Sequence, residues 1–117
     1  MNAFNTERET IAGKLTAAGA LNVTLDPRSP PPCILVDAPS VDRTQGVGGW
    51  ACTIPVRLLA PAPGNTDALT WLLDQLEVVL GVYPSALPAF PGTVTRNDAD
   101  LPAYTVPVAV TVPNPNC

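Results

Sequence analysis

A chain of 117 residues, 46% hydrophobic and 14% charged, is long enough for one modest core and too short for two. No apolar run reaches the roughly 20 residues of a membrane-spanning helix, so no membrane partner is expected. The formal net charge is -4, and the six basic residues Arg8, Lys14, Arg28, Arg43, Arg57 and Arg96 are scattered, which argues against specific nucleic-acid binding because phosphate neutralisation needs clustered cations.

Low charge beside ample apolar composition points to self-association or a permanent partner rather than a free monomer. The N-terminus lacks both a basic start and a hydrophobic run, so no secretion signal is expected. Three cysteines, Cys33, Cys52 and Cys117, have no CxxC spacing. An odd number argues against a disulfide framework, and the spacing argues against zinc; buried or idle thiols in a reducing cytoplasm are the simplest reading, with Cys117 expected free.

Taken in chain order, Thr6 and Glu9 have the capping-box spacing and predict the start of a helix of about three turns. Its buried residues are expected to be Ile11, Leu15 and Ala18, with Gly19 near the stop. Leu21, Val23 and Leu25 alternate with polar residues and predict a short strand. Asp26 to Pro32 contains four prolines and predicts an extended, polyproline-like connector. Cys33 to Val36 is short and continuously apolar, the pattern of a central strand.

From Asp37 to Gly49 the chain turns polar and then glycine-rich. It is not a phosphate loop, because Trp50 stands where a Lys and a Ser or Thr are required. A hairpin tip is expected, and Val41, Asp42, Arg43, Thr44, Gln45, Gly46, Val47, Gly48 and Gly49 form the first candidate for a partner-facing loop. Trp50 to Leu59 alternates, with Trp50, Cys52, Ile54, Val56 and Leu58 on one face.

The strongest periodic signal runs from Asn65 to Gly81. Leu69, Leu72, Leu73, Leu76, Val79 and Leu80 recur at steps of three and four, which places them on one helix face that needs a sheet to lie on. Asn65 or Thr66 can cap it, Asp67 suits the positive end of the helix dipole, and Gly81 is expected to stop it. Trp71, Gln75 and Val78 lie on the other side and are a candidate subunit interface; the N-terminal helix of the same chain is the other available cover. Asp67, Asp74 and Glu77 form an acidic surface strip, read as solvated or partner-facing rather than as a cation site, since one helix face supplies too few converging oxygens.

Tyr83 to Gly92 reads as a loop, Thr93 to Arg96 as a strand, Asn97 to Asp100 as a turn, and Tyr104 to Val112 as a last strand. Cys52-Thr53-Ile54-Pro55-Val56 and Tyr104-Thr105-Val106-Pro107-Val108 match in pattern. A proline cannot donate to a strand ladder, so each is expected on a sheet edge, at a bulge, or with its nitrogen facing away from its neighbour, and a two-hairpin sheet with these strands near its margins would tolerate them. The fold class is α+β: a small, mostly antiparallel sheet of two hairpins with a central amphipathic helix and an N-terminal helix packed on it, in one domain over residues 1–117.

There is no histidine, Lys14 is the one lysine, and the serines are Ser29, Ser40 and Ser85, all in segments read as loops. Nucleophilic catalysis would need an unusual base, so no enzyme, cofactor or metal is expected.

The element order (helix, strand pair with a Gly-rich tip, amphipathic helix, second strand pair) resembles the tail terminator proteins of long-tailed, non-contractile bacteriophages, particularly those of actinobacteria. The residues that carry the resemblance are Pro30-Pro31-Pro32-Cys33-Ile34-Leu35-Val36, the Trp50 to Leu59 strand, and the Asn65 to Leu80 helix containing Trp71-Leu72-Leu73-Asp74. It covers nearly the whole chain. It implies a virion protein, assembled in the host cytoplasm, that forms a homo-hexameric ring at the head-proximal end of the tail. Its partners would be the tail-tube protein, whose polymerisation it ends, and the head connector or stopper protein. DNA would pass through the ring without specific binding. Two other readings are a different neck component and a small non-viral α+β binding domain.

Overall fold

A computed structural model of the chain describes residues 3–44, 49–61, 66–84, 89–96 and 99–113. The elements are α1 (Ala3–Ala17), β1 (Val23–Thr24), β2 (Cys33–Val36), β3 (Ser40–Thr44), β4 (Gly49–Leu59), α2 (Thr66–Val82), β5 (Phe90–Arg96) and β6 (Ala99–Pro113). The strands make one six-stranded sheet in the order β1-β2-β4-β6-β5, with β3 also pairing β4. All pairs are antiparallel except β1 with β2. The α+β expectation holds, with more strands than two hairpins.

β4 and β6 are the spine. They pair without a register shift from Gly49↔Pro113 to Leu59↔Ala103. The period of two puts Cys52, Ile54, Val56 and Leu58 of β4, with Val106, Val108 and Val112 of β6, on the face beneath the helices, all buried. Ile11 and Leu15 of α1 and Ala68, Leu72 and Val79 of α2 complete that core. A smaller cluster on the reverse face joins Cys33, Leu59 and Ala103, with Val94 against them.

The echoed prolines therefore sit on central strands, not at the margins, and of the expected placements the one observed is a nitrogen facing away from the paired strand. Pro55 and Pro107 are directly opposite each other. The Pro55 carbonyl accepts the Asp37 N–H at 3.0 Å, so the backbone polar groups of Pro55 face away from β6. That side of β4 is shared by β2, which covers Val56 to Leu59, and β3, which covers Trp50 to Thr53. Pro55 thus falls in the gap between two partners, where no ladder donor is required. By the same alternation Pro107 faces the β5 side, two residues beyond the Phe90↔Thr105 pair that ends β5. A proline is tolerated mid-sheet when the neighbouring strand is missing at its own position.

α1 begins at Ala3, ahead of the predicted Thr6 cap, and its extra turn brings Phe4 to Trp50 with ring centroids 5.5 Å apart. It ends as the sequence predicts at Gly19, whose φ is 98°. The Gly19 N–H donates to Thr16 C=O at 3.1 Å and the Ala20 N–H to Leu15 C=O at 3.0 Å, the bond pair of a Schellman motif. That turn buries Ala20 and leaves Ala18 exposed, correcting the expectation for Ala18.

Arg8 fastens the helix to the sheet. Its guanidinium donates to Val36 C=O at 2.8 and 3.1 Å, to Leu25 C=O at 2.8 Å and to Asn5 Oδ1 at 3.0 Å. The predicted extended connector is instead a compact reversal. Arg28 N–H donates to Asp26 Oδ1 at 2.9 Å, and Ile34 N–H to the C=O of Asn22, a residue at φ 56°. This return is what lays β1 parallel to β2.

α2 passes through Gly81 and ends at Val82, because Val82 and Tyr83 still pack on the core and the Tyr83 N–H reaches Val79 C=O at 2.9 Å. β5 starts at Phe90, inside the predicted loop. β6 starts at Ala99, inside the predicted turn, where Thr95 Oγ1 and Asp100 Oδ1 are 2.6 Å apart.

Candidate subunit interface

The rotational setting of α2 decides which of its two apolar sides is free. At about 100° per residue, Ala68, Leu72, Gln75 and Val79 share one line, and these four are the buried residues of the helix. The predicted stripe is turned by most of one residue step. Leu72 and Val79 stay inside, Leu76 and Leu80 are half-buried, while Leu69 is 50% and Leu73 45% exposed. The leucine side of α2 faces outward along its first half.

A backbone group sets this rotation. Gln75 is 6% exposed, and its Oε1 accepts the Leu21 N–H at 3.0 Å in the turn that follows α1. A buried amide without a partner is costly, so the pair holds α2 with Gln75 inward and α1 alongside. Among the described residues no buried side-chain nitrogen or oxygen lacks a partner. Gln75 is therefore removed from the candidate subunit interface. Trp71 and Val78, predicted with it, are half-buried and pack on the intrachain core, so the chain itself covers most of this side.

The acidic strip is on the surface: Asp67, Asp74 and Glu77 are all exposed. Among the described residues no three His, Cys, Asp or Glu side chains are grouped to hold a metal ion. The predicted partner-facing loop divides. Val41, Asp42, Arg43 and Thr44 belong to β3 and Gly49 to β4, a correction to the loop boundaries, while Gln45, Gly46, Val47 and Gly48 lie outside the described residues. A register shift between Val41 and Arg43 breaks the alternation that would have revealed β3 in the sequence. Asp42 holds the bulge: Thr53 Oγ1 donates to Asp42 Oδ2 at 2.6 Å and Ser40 Oγ to Asp42 Oδ1 at 3.3 Å.

The remaining polar features are structural. Arg57 pairs with Asp37 at 2.8 Å and reaches Thr105 Oγ1 at 3.3 Å on the reverse face. Burial pushes the Cys52 thiol up, with the Asp42 carboxylate adding to the effect, so thiolate chemistry is suppressed there. Burial also raises the Tyr83 phenol, with Glu7 contributing. A shallow cleft of about 360 Å³ beside the proline-rich return is lined by Val23, Thr24, Ser29, Pro31, Pro32 and Cys33 among others and has no charged side chain.

What stands out is apolar and exposed. Leu69 and Leu73 lie on α2, and Leu21, Val41 and Phe90 are each more than half exposed elsewhere. Sequence periodicity groups Leu69 and Leu73 with the core and so misses them as surface residues. Among the described residues no helix is long and apolar enough to cross a membrane. Comparison with protein-family models, curated proteins and solved structures gave no match.

Proposed function

We propose that this chain is a ring-forming structural subunit of the tail-terminator type, placed at the head-proximal end of a non-contractile phage tail. There it ends tail-tube polymerisation and joins the tail to the head connector. The observation that carries this reading is the outward leucine side of α2, where Leu69 and Leu73 stay about half exposed although the helix is already docked on its own sheet. A second copy would cover a face that intrachain packing leaves open, as a closed ring requires of each subunit. The inventory of reactive groups agrees with a non-enzymatic role: the sequence has no histidine, and the Cys52 thiol is buried and raised.

The test is to polymerise tail-tube protein of the same phage with and without this chain and to measure tube lengths by electron microscopy. Short tubes capped at one end are expected. Unchanged lengths with no bound density contradict the terminator role. Binding to connector protein without any effect on tubes assigns the chain to another neck position.

A further inference from the structure

Two half-exposed leucines bury too little apolar area to offset by themselves the freedom lost on association. A ring needs a second contact. The far end of the sheet supplies one, and this inference rests on the ring reading above.

Thr105 of β6 is opposite Phe90, the first residue of β5, so from Val106 to Pro113 β6 has β4 on one side and no described strand on the other. The alternation fixed at Pro55 and Pro107 points the backbone groups of Ala109 and Thr111 to that open side. Both residues are exposed. The stretch Val108-Ala109-Val110-Thr111-Val112 contains no charge and no proline, and its register against β4 is unbroken. Natural proteins usually blunt such an edge with charge, proline, a bulge or a short strand. Of the other margins, β1 has two residues and β5 carries Pro91 and Gly92, while β3 has Asp42, Arg43 and a bulge, which restrict it to a strand of matching register.

A second free edge lies at the same height. β3 flanks β4 opposite to β6, so Val41 and Val110 both pair with Cys52, and Ser40 and Ala109 both pair with Thr53. Val41 is at a position whose N–H and C=O point away from β4, and it is 53% exposed. β3 and β6 are each antiparallel to β4, hence parallel to one another.

We propose that residues 108–112 of β6 pair, as parallel strands, with β3 of a neighbouring copy of this chain, making one sheet continuous from subunit to subunit. The occupant is a second copy because each chain offers both halves of the contact, at one level and on opposite sides of β4. Such a head-to-tail arrangement forms a ring when the rotation from one copy to the next closes the circle. Pro107, at the first open position and without an N–H, marks where the pairing begins.

The test uses proline at outward-facing positions, of the kind β6 already accepts at Pro107. Ala109→Pro and Val41→Pro each remove an outward N–H while leaving the β4 ladder intact, and each is expected to convert the assembled species to monomer in light scattering. Their far-ultraviolet circular dichroism should match that of the wild-type chain, which shows that each variant is folded. Should Ala109→Pro fail to fold, Val41→Pro decides alone. Rings that persist in the folded variants overturn the edge pairing and leave the ring reading standing. Loss of assembly in Ala109→Pro but not in Val41→Pro overturns β3 as the partner strand. A wild-type chain that remains monomeric at high concentration removes both.

Discussion

The two apolar sides of α2 differ in what closes them. Ala68, Leu72, Gln75 and Val79 lie inward, toward β4, β6 and α1, whereas Leu69 and Leu73, most of a residue step around the helix, point outward. The outward side carries the larger and more hydrophobic residues, and the inward side holds an alanine and a glutamine. Hydrophobicity alone therefore does not choose the buried face. The hydrogen bond from the Leu21 N–H to Gln75 is made only in the observed rotation and favours it over one that turns the leucines in.

The sharpest way to break this comparison is charge on the inward side. Leu72→Asp places a carboxylate where Leu72 is 2% exposed, a cost of several kcal/mol against a total stability of about 5 to 15. Circular dichroism should show an unfolded chain; a folded Leu72→Asp protein would mean the inward face is misassigned. Arg8→Ala, which strips three backbone contacts to Val36 and Leu25, is expected to lose about 2 kcal/mol in denaturant titration.

Gln75→Leu sharpens the contrast. It leaves the Leu21 N–H without its acceptor, for a loss of about 1 to 2 kcal/mol, and leaves assembly unchanged because the bond is within one chain. A Gln75→Leu protein that is fully stable but cannot assemble would return Gln75 to the interface. The outward side costs far less than the inward charge: the double change Leu69→Ser and Leu73→Ser loses only the half of each side chain already covered within the chain and should lower stability by about 1 to 2 kcal/mol, leaving the chain folded. Its consequence is instead a failure to associate.

Much of the fold is legible in the residues. The period of α2, the alternation of β4 and β6, the Gly19 stop and the short β2 strand follow from local pattern. Three features do not. The rotation of α2 depends on the pairing of Gln75 with Leu21, 54 residues away, which no local period encodes. The central position of Pro55 depends on β2 and β3 dividing one edge of β4, and β3 is hidden by its polar composition and its bulge. Arg8 reads as one of six scattered cations until its carbonyl partners on separate segments are in place. The acidic strip was legible because exposed charge on an amphipathic helix needs no tertiary information, while Leu69 and Leu73 were not, since their exposure is a tertiary outcome.

The central claim is that the outward side of α2 is closed by a second copy. The direct measurement is the solution mass by light scattering of the wild-type chain beside the Leu69→Ser, Leu73→Ser double variant, across a range of concentrations. A ring-sized wild-type species and a folded, monomeric double variant are the predicted result. Equal masses for the two proteins, whether both rings or both monomers, would contradict it.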